Sequence, residues 1–66
     1  MKFKQDGYHR DGSLCIYAYD DNNVKIAVFR GYFDVRKDVI RLYPRCCLVP
    51  TKENLEKRTI RVSELL

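Results

Sequence analysis

The sequence predicts an all-β fold: a small, four- to five-stranded, partly open barrel with at most one helical turn. Three observations carry this. Short apolar runs rich in β-branched and aromatic residues recur along the chain, several alternating with a period of two. Clusters of Asp, Asn, Gly and Pro separate them. No segment repeats apolar residues at helical spacing for more than about one turn.

The organising stretch is Ser13–Gly31. Leu14–Tyr19 and Val24–Phe29 flank Asp20-Asp21-Asn22-Asn23, whose side chains bond their own backbone and tolerate positive φ. This predicts a hairpin with a four-residue loop. Alternation puts Leu14, Ile16, Ala18, Val24, Ile26 and Val28 on the inner face. It puts Cys15, Tyr17, Tyr19, Lys25, Ala27 and Phe29 on the outer one.

Ahead of the hairpin, residues 1–5 form a short edge strand anchored by Phe3, and Gly7–Ser13 forms a loop. Beyond it, Gly31-Tyr32-Phe33-Asp34 leaves the second hairpin strand and Val35–Asp38 turns. Val39–Tyr43 makes a third strand with Ile40 and Leu42 inward. Pro44 lacks an amide donor and marks a strand end, a bulge or an edge. Cys46–Val49 resumes an extended run, closed by Pro50. Thr51–Lys57 has one leucine, too little apolar face for more than a turn of helix or a loop. Arg58–Ser63 alternates Ile60 and Val62 inward against Thr59, Arg61 and Ser63, and is the last strand. Leu65 and Leu66 either dock on the core or begin a helix. With Leu48, the inward residues define the expected core. Closure is how small sheets protect their edges, so the expected barrel is SH3-like or Sm-like.

Sixty-six residues suit one small domain, complete or cut from a larger protein, with little room for a catalytic cleft. No apolar run approaches the ~18 residues of a membrane span. Met1–Lys4 leads into Gln5-Asp6-Gly7 rather than an apolar stretch, so no secretory leader is expected. With three cysteines, an odd number, this predicts a reducing, cytoplasmic setting. The net charge is +4, with +1 on residues 1–33 and +3 on 34–66, which favours anionic partners.

Catalysis is not expected. The one histidine has no Ser or Cys at a motif spacing, and there is no glycine-rich phosphate cradle. His9-Arg10-Asp11 matches a kinase catalytic loop in letters only. Asp20-Asp21 sits on a turn, where carboxylates are solvated. Cys15, Cys46, Cys47 and His9 could supply four zinc ligands, but Cys-x2-Cys spacing is absent and adjacent cysteines on a strand face opposite ways. No metal and no cofactor are expected.

Segment Arg58-Thr59-Ile60-Arg61-Val62-Ser63-Glu64-Leu65 resembles the closing strand of WYL-type domains, Sm-like small barrels whose last strand reads Arg-x-Phe-Arg-Leu-Asp-Arg-Ile. Ile16-x-x-Tyr19-Asp20 is similar to their first strand and acidic turn, and Cys46 or Cys47 falls where several members carry a cysteine. The likeness spans about a third of the chain. Where the family has its naming tripeptide this chain reads Ile40-Arg41-Leu42, and the helix before the first strand is missing. The resemblance implies a barrel and, since the family senses nucleic acid or nucleotide ligands in bacterial regulators and defence systems, such a ligand here. It places Arg58 and Arg61 as basic contact residues.

Independently of that likeness, Tyr17, Tyr19 and Tyr43 lie with Lys25, Arg41 and Arg61 on the predicted outer face. Tyrosine rings stack bases while Lys and Arg follow phosphates, the combination small barrels use on single strands. The predicted function is therefore a non-enzymatic module binding nucleic acid, single-stranded by preference. The same Tyr and Arg residues would also suit a protein-interaction module or a small phage-type inhibitor of a host protein. As core or cover, the aromatics would serve neither.

The cysteine spacing yields a first test. The purified protein is expected to hold no stoichiometric zinc, and a chelator is expected to leave its Tm unchanged. One zinc per chain by metal analysis would overturn that reading.

Overall fold

The computed structural model describes residues 1–48 and 56–65, with the backbone but not the side chain of Cys47. The five strands are β1 (Lys2–Tyr8), β2 (Leu14–Tyr19), β3 (Lys25–Asp34), β4 (Val39–Cys47) and β5 (Arg58–Arg61). They form one antiparallel sheet in chain order, β1-β2-β3-β4-β5. A 3₁₀ turn, Val62–Glu64, follows β5. Among the described residues no helix is long and apolar enough to cross a membrane. The expected run through Val49, its closure at Pro50 and most of the helical segment Thr51–Lys57 lie outside the described residues.

The central hairpin forms where expected, but its register differs. Tyr19 pairs with Lys25, so the connection is Asp20–Val24 rather than four residues. Asp20 holds it together. Its amide donates to the Val24 carbonyl at 3.0 Å, and its carboxylate accepts from the amides of Asn22 at 2.8 Å and Val24 at 3.0 Å. Asn23 takes φ 61°, a conformation its short polar side chain tolerates. Val24, expected in the core, is part of this loop and is exposed.

Ile26 is then an extra residue: Ala18 pairs with Ala27 and Tyr19 with Lys25, leaving Ile26 opposite none. Such a bulge reverses the parity of everything beyond it. Phe29 and Ala27, expected outward, therefore face inward opposite Ile16 and Ala18, and both are fully buried. Val28, expected inward, is buried instead on the other face, paired with Tyr17 and Cys46. Ile26 stays in the core.

β3 does not end at Gly31 but continues to Asp34, ten residues in all. Gly31 lies inward between Leu14 on β2 and Leu42 on β4. A Cβ there would sit 2.9 Å from Ile40 Cγ2, 3.1 Å from Ile16 Cγ1 and 3.2 Å from Leu14 Cβ. Only glycine lets the three side chains meet over the backbone. The Val35–Asp38 turn forms as read: Asp38 donates its amide to the Asp34 carbonyl at 2.9 Å and takes φ 56°.

β4 also outruns its expected end at Tyr43, passing through Pro44 to Cys47. Pro44 pairs with Phe29 while Cys46 pairs with Val28, so Arg45 is a second extra residue. Among the described residues β5 pairs with β4 over Val39–Leu42, so Pro44 lies past that pairing and beside a bulge, where its missing donor is tolerated. Leu48 lies past the strand end and is exposed, contrary to expectation, with its amide bonded to the Ile26 carbonyl. At the other edge, β1 runs to Tyr8 rather than residue 5, its register shifting at Gly7, φ 75°.

The core comprises Phe3, Ile16, Ala18, Ile26, Ala27, Phe29, Ile40, Leu42 and Ile60, with Leu14, Val62 and Leu65 packed against it. Phe3 and Phe29 meet edge to face, centroids 6.4 Å apart. Ser63, expected in the last strand, belongs to the 3₁₀ turn, because Glu64 reaches back to accept the Arg61 amide at 2.7 Å and bends the chain. Leu65 then docks and makes a parallel bridge with Phe3. This isolated bridge joins β1 to the segment after β5 without a ladder between the two strands, so the sheet is not closed.

The crowding at Gly31 generates the second prediction. Gly31→Ala forces a methyl onto Ile40 and Leu14, and overpacking of this kind costs about 1–3 kcal/mol. That exceeds the gain of about 0.4–1 kcal/mol from stiffening the unfolded chain. Thermal unfolding should show Tm lowered, by roughly 4–8 °C per kcal/mol for a chain this small. A variant that melts with the parent would disprove the close approach.

Candidate functional site

The register gives the outer face of the sheet a definite composition. Residues directly opposite share a face. Lys2, Tyr19 and Lys25 form one cross-strand row; Lys4, Tyr17, Val28 and Cys46 form the next. Cys15, Arg30 and Tyr43 follow, then Tyr32, Arg41 and Thr59, then Asp34, Val39 and Arg61. Of the predicted residues, Tyr17, Tyr19, Lys25, Arg41, Tyr43 and Arg61 all lie on this face. For Lys25 the prediction and the bulge agree: the extra residue reverses Ala27 and Phe29 but leaves Lys25 beside Tyr19.

Arg58 lies on the other side, opposite Leu42. Its guanidinium is 5.8 Å from the Phe3 ring centroid and 5.9 Å from that of Phe29, and donates to Met1 Sδ at 3.2 Å. It covers the aromatic end of the core. It also borders a depression shared with Arg41, Tyr43 and Lys57.

Among the described residues, two of the clefts on the outer face bring rings and cations together. The larger, about 520 Å³, lies between Tyr32, Arg41 and Tyr43. The two rings meet edge to face with centroids 5.4 Å apart, and Lys57 Nζ stands 5.4 Å from the Tyr43 centroid. Arg41 has an exposed side chain, 3.9 Å from Asp34. The smaller cleft, about 270 Å³, is lined by Lys2, Lys4, Tyr19 and Asn23. Lys2 Nζ donates to Asn23 Oδ1 at 3.1 Å. Beside it, Lys25 Nζ sits 3.9 Å from the Tyr17 centroid, a close cation–π contact. The neighbouring Cys15 thiol pushes the Tyr17 phenol above its ordinary value. From Tyr17 to Tyr43 is two strands across and about two residues along, roughly 12 Å by sheet geometry.

Sequence reasoning missed Tyr32 and Arg30, because β3 was expected to stop at Gly31. Continuing the alternation through that glycine puts Arg30, Tyr32 and Asp34 on one face, but with Val24, Ile26 and Val28 inward that face is the inner one; only the bulge at Ile26 turns them outward. Lys2 and Lys4 were visible as alternating residues of β1, without a sign that Tyr17 and Tyr19 stood opposite.

Asp11 fixes this face to the β1–β2 loop. Its Oδ1 accepts from the Ser13 hydroxyl at 2.6 Å and the Ser13 amide at 3.0 Å. Its Oδ2 accepts from Arg30 Nη1 at 3.1 Å and from the Tyr32 hydroxyl at 3.2 Å. The Ser13 hydroxyl, then its amide, then Tyr32 and the Arg30 charge hold the Asp11 carboxyl down to about 2, against an opposing effect of desolvation. Among the described residues, no group of three or more His, Cys, Asp or Glu could hold a metal ion. No known protein family, curated protein or solved structure matches the chain.

The Asp11 contacts imply a pH dependence. A carboxyl whose value is depressed on folding stabilises the fold fully above the ordinary carboxylate value, about 3.9. That contribution is lost as pH falls through about 2. Asp11→Asn should therefore lower Tm at neutral pH, and the gap from the parent should narrow steadily between pH 4 and 2. An equal gap at both ends would show that the ionised carboxylate is not what ties Ser13, Arg30 and Tyr32 together.

Proposed function

We propose that the protein is a non-enzymatic binding module whose outer sheet face takes up single-stranded nucleic acid. We attach to it the finer architecture of a partly open SH3-like or Sm-like barrel and a cytoplasmic setting. The observation that carries this reading is the pairing of rings with cations in and beside both clefts: Tyr32 and Tyr43 with Arg41 in the larger and Lys57 next to Tyr43, and Tyr19 with Lys2 and Lys4 in the smaller and Tyr17 under Lys25 next to it. Rings spaced at roughly 12 Å could receive bases about two nucleotides apart, with cations between them for the phosphates. Arg61 extends the basic surface beside Arg41, and Arg58 borders it from the sheet edge. The Sm-like resemblance points the same way.

A protein partner is the second reading. Phe33 and Val35 are 51% and 78% exposed near the β3–β4 turn, more apolar surface than phosphate binding needs. Tyr and Arg are also the residue types enriched where proteins bind one another.

Salt distinguishes the two. Titration of a labelled oligothymidylate at several salt concentrations should give affinity that falls steeply as salt rises. Arg41→Ala with Arg61→Ala should reduce the slope by about one to two units, one per phosphate contact. Tyr43→Ala should cost about 1–3 kcal/mol with little change of slope. Tyr43→Phe, which keeps the ring, should bind nearly as the parent does. No binding at low salt, or a double variant as tight as the parent, would overturn the nucleic-acid reading and favour the protein partner.

A further inference from the structure

Another concavity, about 420 Å³, lies at the β1–β2 loop end of the sheet, lined by Tyr8, His9, Arg10, Asp11, Arg30 and Arg45. It brings three guanidiniums and an imidazole together from three parts of the chain: the loop after β1, the middle of β3 and the bulge in β4. Arg45 is the extra residue of that bulge, and bulges re-aim side chains. Arg10 and Arg45 are exposed and form no ion pair within 4.0 Å among the described residues. The one acid, Asp11, has both oxygens engaged, by Ser13 on one side and by Arg30 and Tyr32 on the other. It holds Arg30 in place, and Arg30 keeps further N–H donors, since a guanidinium has five. His9 Nε2 is buried with no hydrogen-bond partner.

Counting Arg10, Arg30 and Arg45 against Asp11, the pocket carries two uncompensated positive charges with His9 neutral. An internal phosphodiester brings one negative charge; a phosphomonoester brings about −1.5 to −2 and three acceptor oxygens. Guanidinium forks match phosphate oxygens in geometry. The pocket also adjoins the larger aromatic cleft: Arg30 pairs with Tyr43 across the strands, and Asp11 bridges Arg30 to Tyr32.

We propose that this pocket binds the terminal phosphomonoester of the strand whose adjoining base stacks in the Tyr32–Tyr43 cleft, so that the protein recognises a phosphorylated end. This rests on the nucleic-acid reading above. The pocket's charge sets the preference for an end over the chain interior, while Tyr43 and Tyr32 supply a surface for any base.

The test compares eight-nucleotide oligothymidylates carrying a 5′-phosphate, a 3′-phosphate or hydroxyls at both ends, at one fixed salt concentration. One phosphorylated form should bind about tenfold tighter than the hydroxyl form, the scale of one charge-assisted hydrogen bond. Which one gains identifies the polarity. Arg10→Ala with Arg45→Ala should abolish that gain, read as the ratio of phosphorylated to hydroxyl affinity within the same variant, because the loss of two charges by itself weakens both oligonucleotides. Arg36→Ala with Lys37→Ala, an equal loss of charge on the β3–β4 turn, should preserve the gain. Equal affinity for all three oligonucleotides would overturn the end-recognition proposal and leave the nucleic-acid reading standing. A gain lost equally in both double variants would assign it to net charge and overturn the pocket. Failure of all three to bind would overturn both readings together.

Discussion

The extra residue Ile26 in β3 is the constraint on which the rest of the molecule depends. Without it, the Tyr19–Lys25 pair could not coexist with Ala18 opposite Ala27 and Ile16 opposite Phe29. The bulge lets one strand present Lys25 outward beside Tyr19 and, a few residues later, Phe29 inward against Phe3. β3 is thereby buried on both faces through its middle, with Ile26, Ala27, Val28 and Phe29 all buried in succession.

The inner consequence is a core organised around two phenylalanines and a glycine. Phe3 and Phe29 meet edge to face, Arg58 lies over their rings, and Gly31 lets Ile16, Ile40 and Leu14 converge above the β3 backbone. For a chain this small, such crowding matters, because little apolar area is available and voids are poorly tolerated. Docking Leu65 back against β1 adds apolar contact and ties the segment after β5 to the first strand at one point.

The outer consequence is a face on which rings and cations are placed by backbone pairing rather than by loops. Tyr17 and Tyr19 stand on β2, Tyr32 on β3 and Tyr43 on β4, all in the ladder. Sites built on strands keep their geometry better than sites built on loops. The β1–β2 loop is bound to the same frame through Asp11, which joins Ser13 to Arg30 and Tyr32. That single carboxylate connects the basic pocket at the loop end with the aromatic cleft beside it. It is itself the one acid lining that pocket, and Ser13, Arg30 and Tyr32 occupy its oxygens, leaving Arg10 and Arg45 to set the pocket's charge.

Several features follow from the sequence alone. Alternation and turn chemistry determined the all-β class, the central hairpin, the Val35–Asp38 turn and the strand through Ile60. They also determined the outward placement of Tyr17, Tyr19, Arg41, Tyr43 and Arg61, for which a short-range period of two sufficed; Lys25 shares it because the bulge falls just beyond it. Only the tertiary structure decided the inward turn of Phe29, the exposure of Val24, the extension of β3 past Gly31 and the place of Tyr32 in the cleft. A bulge is defined by two residues opposing one on a partner strand, and the partner's position is not local information. The glycine that seemed to end a strand is instead where three side chains from β2 and β4 need its space. Arg45 and Arg10 likewise come together only because a bulge on β4 and a loop after β1 are brought to the same end of the sheet. Local periodicity specifies which way a side chain points relative to its neighbours in sequence; strand pairing specifies what it faces.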